Sequence, residues 1–455
     1  MGRGYRGYQR LAGATLNNLR LLGLLLILAV GACDPGESDP QGHALSDATA
    51  IGISLQSESL AGPELDKFSR LVGRAKIVGL GESRHDTKEQ FEIKSLLAKH
   101  LIRDLGFRVL VFEESFSHAL ALDSYVITGN GDLRSILNGL AGWYLWDTEE
   151  MVGILEWIRQ FNETVPAEDM VRVFGMDITA PALGIRRASR VADKLDPSSG
   201  WLAREYGLDL HAGEFWPQVV ERYATVPLAD AELIRTNLGE LADFLEAEAR
   251  KPDAGPTVRY AAIEAQVGSS GHAMFSSDGM AAIGEARERG MTDVVDWIVS
   301  HNGVNAKTII WTHNLHAAKT RFRMPDLVEG YLEPMGMLLD QTYGTHYLAV
   351  GGTFGTGEYT DEMPPGRRRF EHMGGETIDG AMTELGYPAA LLDFTHLGET
   401  SRPSLWLATE RAWRMQDGVA FLSAGEGFDA IYYVERVSRA QLTPRALQRY
   451  KVTVD

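Results

Sequence analysis

Four apolar stretches of this chain end in residues of the kinds that bind and move protons. AKIVGL runs into Glu82, Arg84 and His85 in GESRH; FRVLVF into Glu113 and Glu114; VRVFGM into Asp177; and AKTIIW into His313 and His316 in THNLH. A carboxylate buried without a partner costs several kcal/mol, so packing alone does not choose acids for such places. Histidine titrates near neutrality and can take a proton from water, while a neighbouring carboxylate fixes its tautomer and stabilises the imidazolium. Either Glu82 or Glu113 can serve His85 in this way. The set therefore suits hydrolysis by an activated water. Glu82, His85, His313 and His316 would also be acceptable Zn²⁺ ligands, although no H-E-x-x-H helix accompanies them. There is no G-x-S-x-G elbow, and the single cysteine is Cys33, so a covalent serine or cysteine mechanism has no evident nucleophile.

The elements that must position these residues follow from periodicity. AKIVGL reads as a short buried strand, TKEQFEIKSLLAKHLIRDLG as a helix, and Phe107–Phe116 as a second strand. Strand, helix, strand is one βαβ unit, which starts a parallel sheet and predicts that the ends of the first two strands are neighbours. Val171–Asp177 is a third strand. From about 181 to 300 the text turns to long amphipathic stretches rich in Ala, Leu and Glu, read as a helical insertion. Ala306–His316 returns to strand character, and HYLAVGGTF and DAIYYVE complete the sheet. The fold class is α/β, a mostly parallel sheet with flanking helices plus the insertion. Ligand crevices in such sheets lie beyond the carboxyl ends of the strands, where the ionisable residues are. Trp143 and Trp146, in AGWYLWDTEEM, can pack or line that crevice, and Asp147–Glu150 reads as a helix cap.

The 455 residues have an ordinary globular hydrophobic content of 44%, and 44 basic against 62 acidic residues with no basic stripe exclude nucleic acid as a partner. The N-terminus differs in kind. Arg3, Arg6, Arg10 and Arg20 precede LLGLLLILAVGA, a secretory signal too short to span a membrane. Val30-Gly31-Ala32-Cys33 resembles the bacterial lipoprotein signal, in which the cysteine carries the lipid. The expected organisation is a signal peptide over 1–32, a flexible Asp-, Gly-, Ser- and Pro-rich tether over 33–60, and a catalytic domain over 61–455. The expected location is outside the cytoplasm, lipid-anchored to a bacterial membrane.

GESRH, FRVLVFEESF, WDTEE, VFGMD, RERGM near 290, WTHNLH and FDAIYYVE resemble, in that order, the erythromycin esterase family, over about Lys76 to Pro444. The resemblance implies a parallel-sheet α/β core with a helical portion, shared with haem-uptake relatives, and cofactor-free hydrolysis of an ester or macrolide lactone. Residue by residue, His85 matches the general base, Glu82 the glutamate three before it, and Glu113 the strand-end glutamate, with Glu114 at a variable position. His313 and His316 match the W-x-H-N-x-H motif, and Arg287 and Met291 the Arg-Glu-x-x-Met pattern. Any of His316, His313 or Arg287 can donate to a developing oxyanion.

The sequence departs from the family's Gly-Glu-Ala-Thr-His-Gly. Here Asp86 is expected to cap the following helix with Glu89. Arg84 is expected to lower the pKa of the base or to receive an anionic group of the substrate. Lys94, where the family commonly has Arg, is expected at the substrate too. These departures bear on the substrate, expected to be a small ester or lactone other than an antibiotic, more than on the mechanism. Metal-dependent hydrolysis with Zn²⁺, and a haem- or ligand-binding lipoprotein, are the alternative readings of the same cluster.

Overall fold

Runs that are apolar on both alternations are buried only inside a sheet covered on both faces. In the computed structural model, which describes residues 44, 45, 48, 50–55, 62–212, 216–303, 306–362 and 365–454, these runs form the centre of such a sheet. The strands are β1 (Ala50–Gly52), β2 (Ile77–Leu80), β3 (Val109–Ser115), β4 (Arg172–Asp177), β5 (Thr308–Trp311), β6 (Tyr347–Glu362), β7 (Pro365–Phe370), β8 (Ala389–Asp393), β9 (Glu410–Met415), β10 (Gly418–Ser423) and β11 (Ala430–Val437). The main sheet has the order β1-β8-β11-β6-β2-β5-β3-β4, with β7 on β6, while β9 and β10 pair separately. Neighbours from β11 to β4 are parallel; β1, β7 and β8 are antiparallel to their partners.

One strand-order expectation is corrected. β2 and β3 are not adjacent, because β5 lies between them and pairs Trp311 with Leu80 on one side and with Phe112 on the other. The helix after β2, α1 (Lys88–Arg103), crosses over the position that β5 fills from far along the chain. As a result the three strands end level, and the two histidines of β5 emerge between Glu82 and Glu113.

Alternate side chains of the central strands serve different cores. Val78, Leu80, Leu110, Phe112, Ile309 and Trp311 join the core under α1 and α2 (Glu149–Asn162), and Ile77, Val109, Val111 and Ile310 join the core on the other face. That second core is closed by α3 (Pro256–Phe275) and α4 (Gly279–His301). Between β4 and β5 the described residues are helical or irregular, including Ala182–Leu195 and Leu228–Ala249, which share a smaller core with Trp201 and Tyr206. Fully burying one of these Val, Leu or Ile side chains contributes about 1.5–3 kcal/mol.

Three local expectations also change. Thr87, not Asp86, stands at the N-cap of α1 and makes no side-chain cap bond, and Glu89 instead accepts from Ser438 N–H and Oγ–H at 2.7 and 2.6 Å. Thr148 caps α2 by accepting from Met151 N–H at 3.3 Å, while Asp147 accepts from Asn138 and Thr443. Ala50–Gly52, within the stretch expected to be tether, pairs with β8 as β1. The signal peptide and Cys33 lie outside the described residues.

Candidate active site

The site is built at the level ends of β2, β5 and β3. After β2 the backbone passes so close to Asn314 that a Cβ on Gly81 would lie 2.4 Å from Asn314 Oδ1, a contact that only glycine avoids. Asn314 ties this edge together: its N–H donates to Glu82 O at 2.8 Å, and its side-chain amide exchanges hydrogen bonds with Gly352 of β6 at 2.8 and 2.9 Å. On β3, Phe112 pairs with Gly175 and Ser115 with Asp177, so Glu113 and Glu114 face one residue of β4. Such a bulge re-aims side chains, and the two glutamates go opposite ways. Glu113 reaches β5, while Glu114 accepts from the N–H groups of Ser115, Ala141 and Gly142 at 2.8, 3.1 and 2.8 Å and so holds the tryptophan loop. Burial pushes Glu114 up to about 7 against those three donors.

Around His85 the geometry is asymmetric. Its Nδ1 meets Glu82 Oε1 at 2.8 Å, and the other oxygen of that fully buried carboxylate accepts from Lys94 Nζ at 2.6 Å. Lys94, also fully buried, donates to Thr312 O at 3.0 Å and lies 4.5 Å from the Trp311 ring centroid. Burial pushes its ammonium down to about 8, against the pull of Glu82. With Nδ1 bonded to the carboxylate, the proton of a neutral imidazole is on Nδ1 and Nε2 carries the lone pair. Nε2 faces Glu113 Oε1 at 3.8 Å, too far for a hydrogen bond. The edge of Trp146 packs on the ring, with centroids 5.9 Å apart.

His316 has no such free position. Its Nδ1 bonds Glu288 Oε1 at 2.6 Å and its Nε2 lies 3.1 Å from Glu113 Oε1. Burial would lower its pKa, but Glu113 and then Glu288 raise it to about 10. It is an imidazolium at neutral pH, donating at both nitrogens. Arg287 donates to Asp177 through Nε and Nη2 at 3.2 and 2.8 Å, and from Nη2 to Glu113 Oε1 at 3.0 Å. Its Nη1 lies 3.2 Å from His316 Nε2. Glu113 also accepts from Thr312 Oγ1 at 2.7 Å and His313 N–H at 3.0 Å. Burial favours its protonated form, but His316, His85 and Arg287 hold it well below the usual carboxylate range.

Glu82, His85, Glu113, Arg287 and His316 are thus brought together, and the other predicted residues take different places. His313 is committed at both nitrogens: Nδ1 accepts from Leu315 N–H at 3.2 Å and Nε2 donates to Ser83 O at 3.0 Å. Burial and the nearby His85 keep it neutral, so it shapes the loop instead of donating to an oxyanion. Arg84 is 2% exposed and bound to Asp86, Tyr359, Gln416 and Asp417, with no face left for an anionic substrate. Lys94 grips Glu82 and does not reach a substrate. Met291 is fully buried in the second core, and Trp143 packs beneath Arg449, so neither lines the crevice. Trp146 touches the site through the ring of His85 and through its Nε1–H, which donates to Glu113 O at 3.2 Å. Sequence reasoning missed Glu288, the glutamate of RERGM itself, and Thr312, the variable position of WTHNLH.

These residues do not fit a Zn²⁺ ion. Both His313 nitrogens are used within the protein, both His316 nitrogens point at carboxylates, and the Lys94 ammonium sits on Glu82 Oε2. No common point receives lone pairs from the four.

A family model described as erythromycin esterase matches residues 102–437. Glu82, His85 and Lys94 precede that span, so their roles rest on the geometry. The chain is similar to erythromycin esterase type II of Escherichia coli, 26% identical over 327 residues that cover 62% of this chain and 70% of that protein. It is also similar to a solved Bacillus cereus protein (TM-score 0.74, 23% identity, 88% of this chain and 97% of that one) and to an erythromycin esterase mutant, EreC, in its open conformation (TM-score 0.69, 18% identity, 87% and 99%). At these identities the solved structures share the fold.

Proposed function

The chain belongs to the erythromycin esterase family, and on that premise we propose that it hydrolyses a carboxylic ester or lactone by direct attack of a water that His85 deprotonates. The observation that supports this most is the free edge of His85, with Nδ1 tied to Glu82 at 2.8 Å and Nε2 facing Glu113 Oε1 at 3.8 Å. A water about 2.8 Å from each atom spans that gap, giving one hydrogen to Nε2 and the other to Glu113. Both of its lone pairs are left unshared, and one is free for a carbonyl carbon. Glu113, kept ionised by its cationic neighbours, orients the water and leaves the proton to the histidine.

As oxygen adds to the carbonyl, the proton passes to His85 Nε2, and the imidazolium is stabilised through Nδ1–H by Glu82. Negative charge develops on the carbonyl oxygen, for which the Arg287 guanidinium and the neighbouring His316 cation supply positive charge at the site. The intermediate collapses by breaking the acyl C–O bond, and His85 returns its proton to the departing alkoxide. Acid and alcohol, or a ring-opened hydroxy acid, are the products.

We place the enzyme outside the cytoplasm on a lipid at Cys33. The basic, then apolar N-terminal sequence supports this. The test of the chemistry is hydrolysis of erythromycin, simple lactones and 4-nitrophenyl esters by the full chain beside His85→Gln, with and without EDTA. The expected result is turnover that survives EDTA and falls about 10²- to 10⁴-fold with His85→Gln. Turnover retained by His85→Gln, or abolished by EDTA, would overturn it.

A further inference from the structure

β9 and β10 lie outside the main sheet, and Met415 pairs with Gly418, so Gln416 and Asp417 form the whole loop of their hairpin. Gln416 has φ 51°, and among the described residues it is the one non-glycine with positive φ. A two-residue hairpin loop with positive φ only at its first central position is the kind that calls for glycine there. A side chain persists in that conformation where its surroundings over-determine it, and strain of this sort gathers at functional sites.

The surroundings are the loop that carries the base. Gln416 N–H donates to Ser83 O at 2.6 Å, Gln416 O accepts from Arg84 Nη1 at 3.0 Å, and Gln416 Oε1 accepts from His85 N–H at 3.2 Å. Three successive loop residues are held by one residue. Arg84 also bonds Asp417 Oδ1 at 2.6 Å, which fastens the turn to the loop a second time. The hairpin is itself anchored to the site: Met415 Sδ accepts from Asn314 Nδ2 at 3.6 Å, and Arg414 N–H donates to the buried Asp379 at 2.9 Å. Glycine at 416 would satisfy the turn better. What glycine cannot supply is an acceptor for His85 N–H.

We propose that Gln416 is a positioning residue for the reaction: from the hairpin tip it fixes the backbone of His85, while Glu82 fixes the ring. The inference rests on His85 being the base. With backbone and Nδ1 both held, Nε2 is aimed at the water site; with only Nδ1 held, the ring can swing about that bond. The loss therefore falls on turnover and spares binding.

The experiment measures kcat and KM of the full chain on erythromycin and 4-nitrophenyl acetate for wild type, Gln416→Gly, Gln416→Asn, Gln416→Glu and His85→Gln, with a thermal melt of each. Gln416→Gly relieves the turn and deletes the acceptor, and Gln416→Asn tolerates the turn but shortens the reach. Both are expected to lose about 10- to 100-fold in kcat with little change in KM. Their melting midpoints should be equal to or above that of wild type. Gln416→Glu keeps an acceptor at the same reach and should restore most of kcat. A purely structural role predicts the reverse, a lower midpoint at unchanged kcat, and that result overturns the proposal. Wild-type kcat in Gln416→Gly alongside inactive His85→Gln sinks this inference alone. Active His85→Gln, or no hydrolysis of either probe by wild type, sinks the base reading and this inference with it.

Discussion

His85 and His316 both border Glu113 Oε1, yet the two sides of the site leave them in different states. On the His85 side one carboxylate, Glu82, takes Nδ1 and is itself bound by Lys94, while Glu113 stands off from Nε2 at 3.8 Å. On the His316 side two carboxylates take both nitrogens at 2.6 and 3.1 Å, and the ring is held protonated with a pKa of about 10. Residue type and burial are alike on the two sides. The number of carboxylates within hydrogen-bond reach is what makes one ring a candidate base and the other a fixed cation.

The largest effect of disturbing this contrast comes from Lys94, the ion that keeps Glu82 in place on the His85 side. Its folded-state pKa is pushed down to about 8, so raising pH through that value removes the ammonium and loosens Glu82 from beneath His85. We expect kcat to fall about tenfold per pH unit on the alkaline side of that value. Lys94→Arg, with a guanidinium that stays charged, should move this limb out of the accessible range. A limb that does not move with Lys94→Arg would show that Lys94 does not govern the His85 side.

A smaller effect concerns stability and has opposite signs on the two sides. His316 is raised to about 10 when folded, so between its unfolded value of about 6.5 and that pH the folded chain holds a proton that the unfolded chain has released. Its stabilisation is complete below about 6.5 and is lost as pH rises through 10. Lys94, lowered to about 8, binds its proton more readily when unfolded, and its contribution therefore rises between that pH and about 10.4. Urea unfolding should show stability falling by roughly 1.4 kcal/mol per pH unit from about 6.5 to 8 and flattening above it, where the two groups oppose each other. His316→Gln should abolish the fall; an unchanged slope in that variant would assign it to another group.

Much of this arrangement was legible in the sequence because parallel strands are apolar on both faces, and a charge at the end of one is conspicuous. Glu82, His85, Glu113, Asp177 and His316 were all found by that signal. The mostly parallel α/β fold followed from the same strands, and the helices of 182–301 from their amphipathic stretches. The strand order was not legible, because β5 reaches its place between β2 and β3 from some 200 residues away, and local periodicity carries no information on where a crossover lands. Arg84 was misread for a related reason: Asp86 stood beside it and was assigned to the helix cap, while its other partners, Tyr359, Gln416 and Asp417, are about 275 to 333 positions distant, so the sequence did not show the set of acceptors that occupies it. Gln416 had no signal beyond a Gln-Asp turn. Met291 was carried with its motif and proved to be the part of that motif that packs, while Glu288, passed over beside it, reaches the site.

The contrast between the two histidines is tested most directly by the ¹⁵N spectrum of the imidazoles in the full chain at neutral pH, with the His85 and His316 signals identified by their loss in His85→Gln and His316→Gln. The account predicts His316 protonated at both nitrogens, and the neutral form of His85 protonated at Nδ1 with a bare Nε2. A neutral His316, or a His85 whose bare nitrogen is Nδ1, would contradict it.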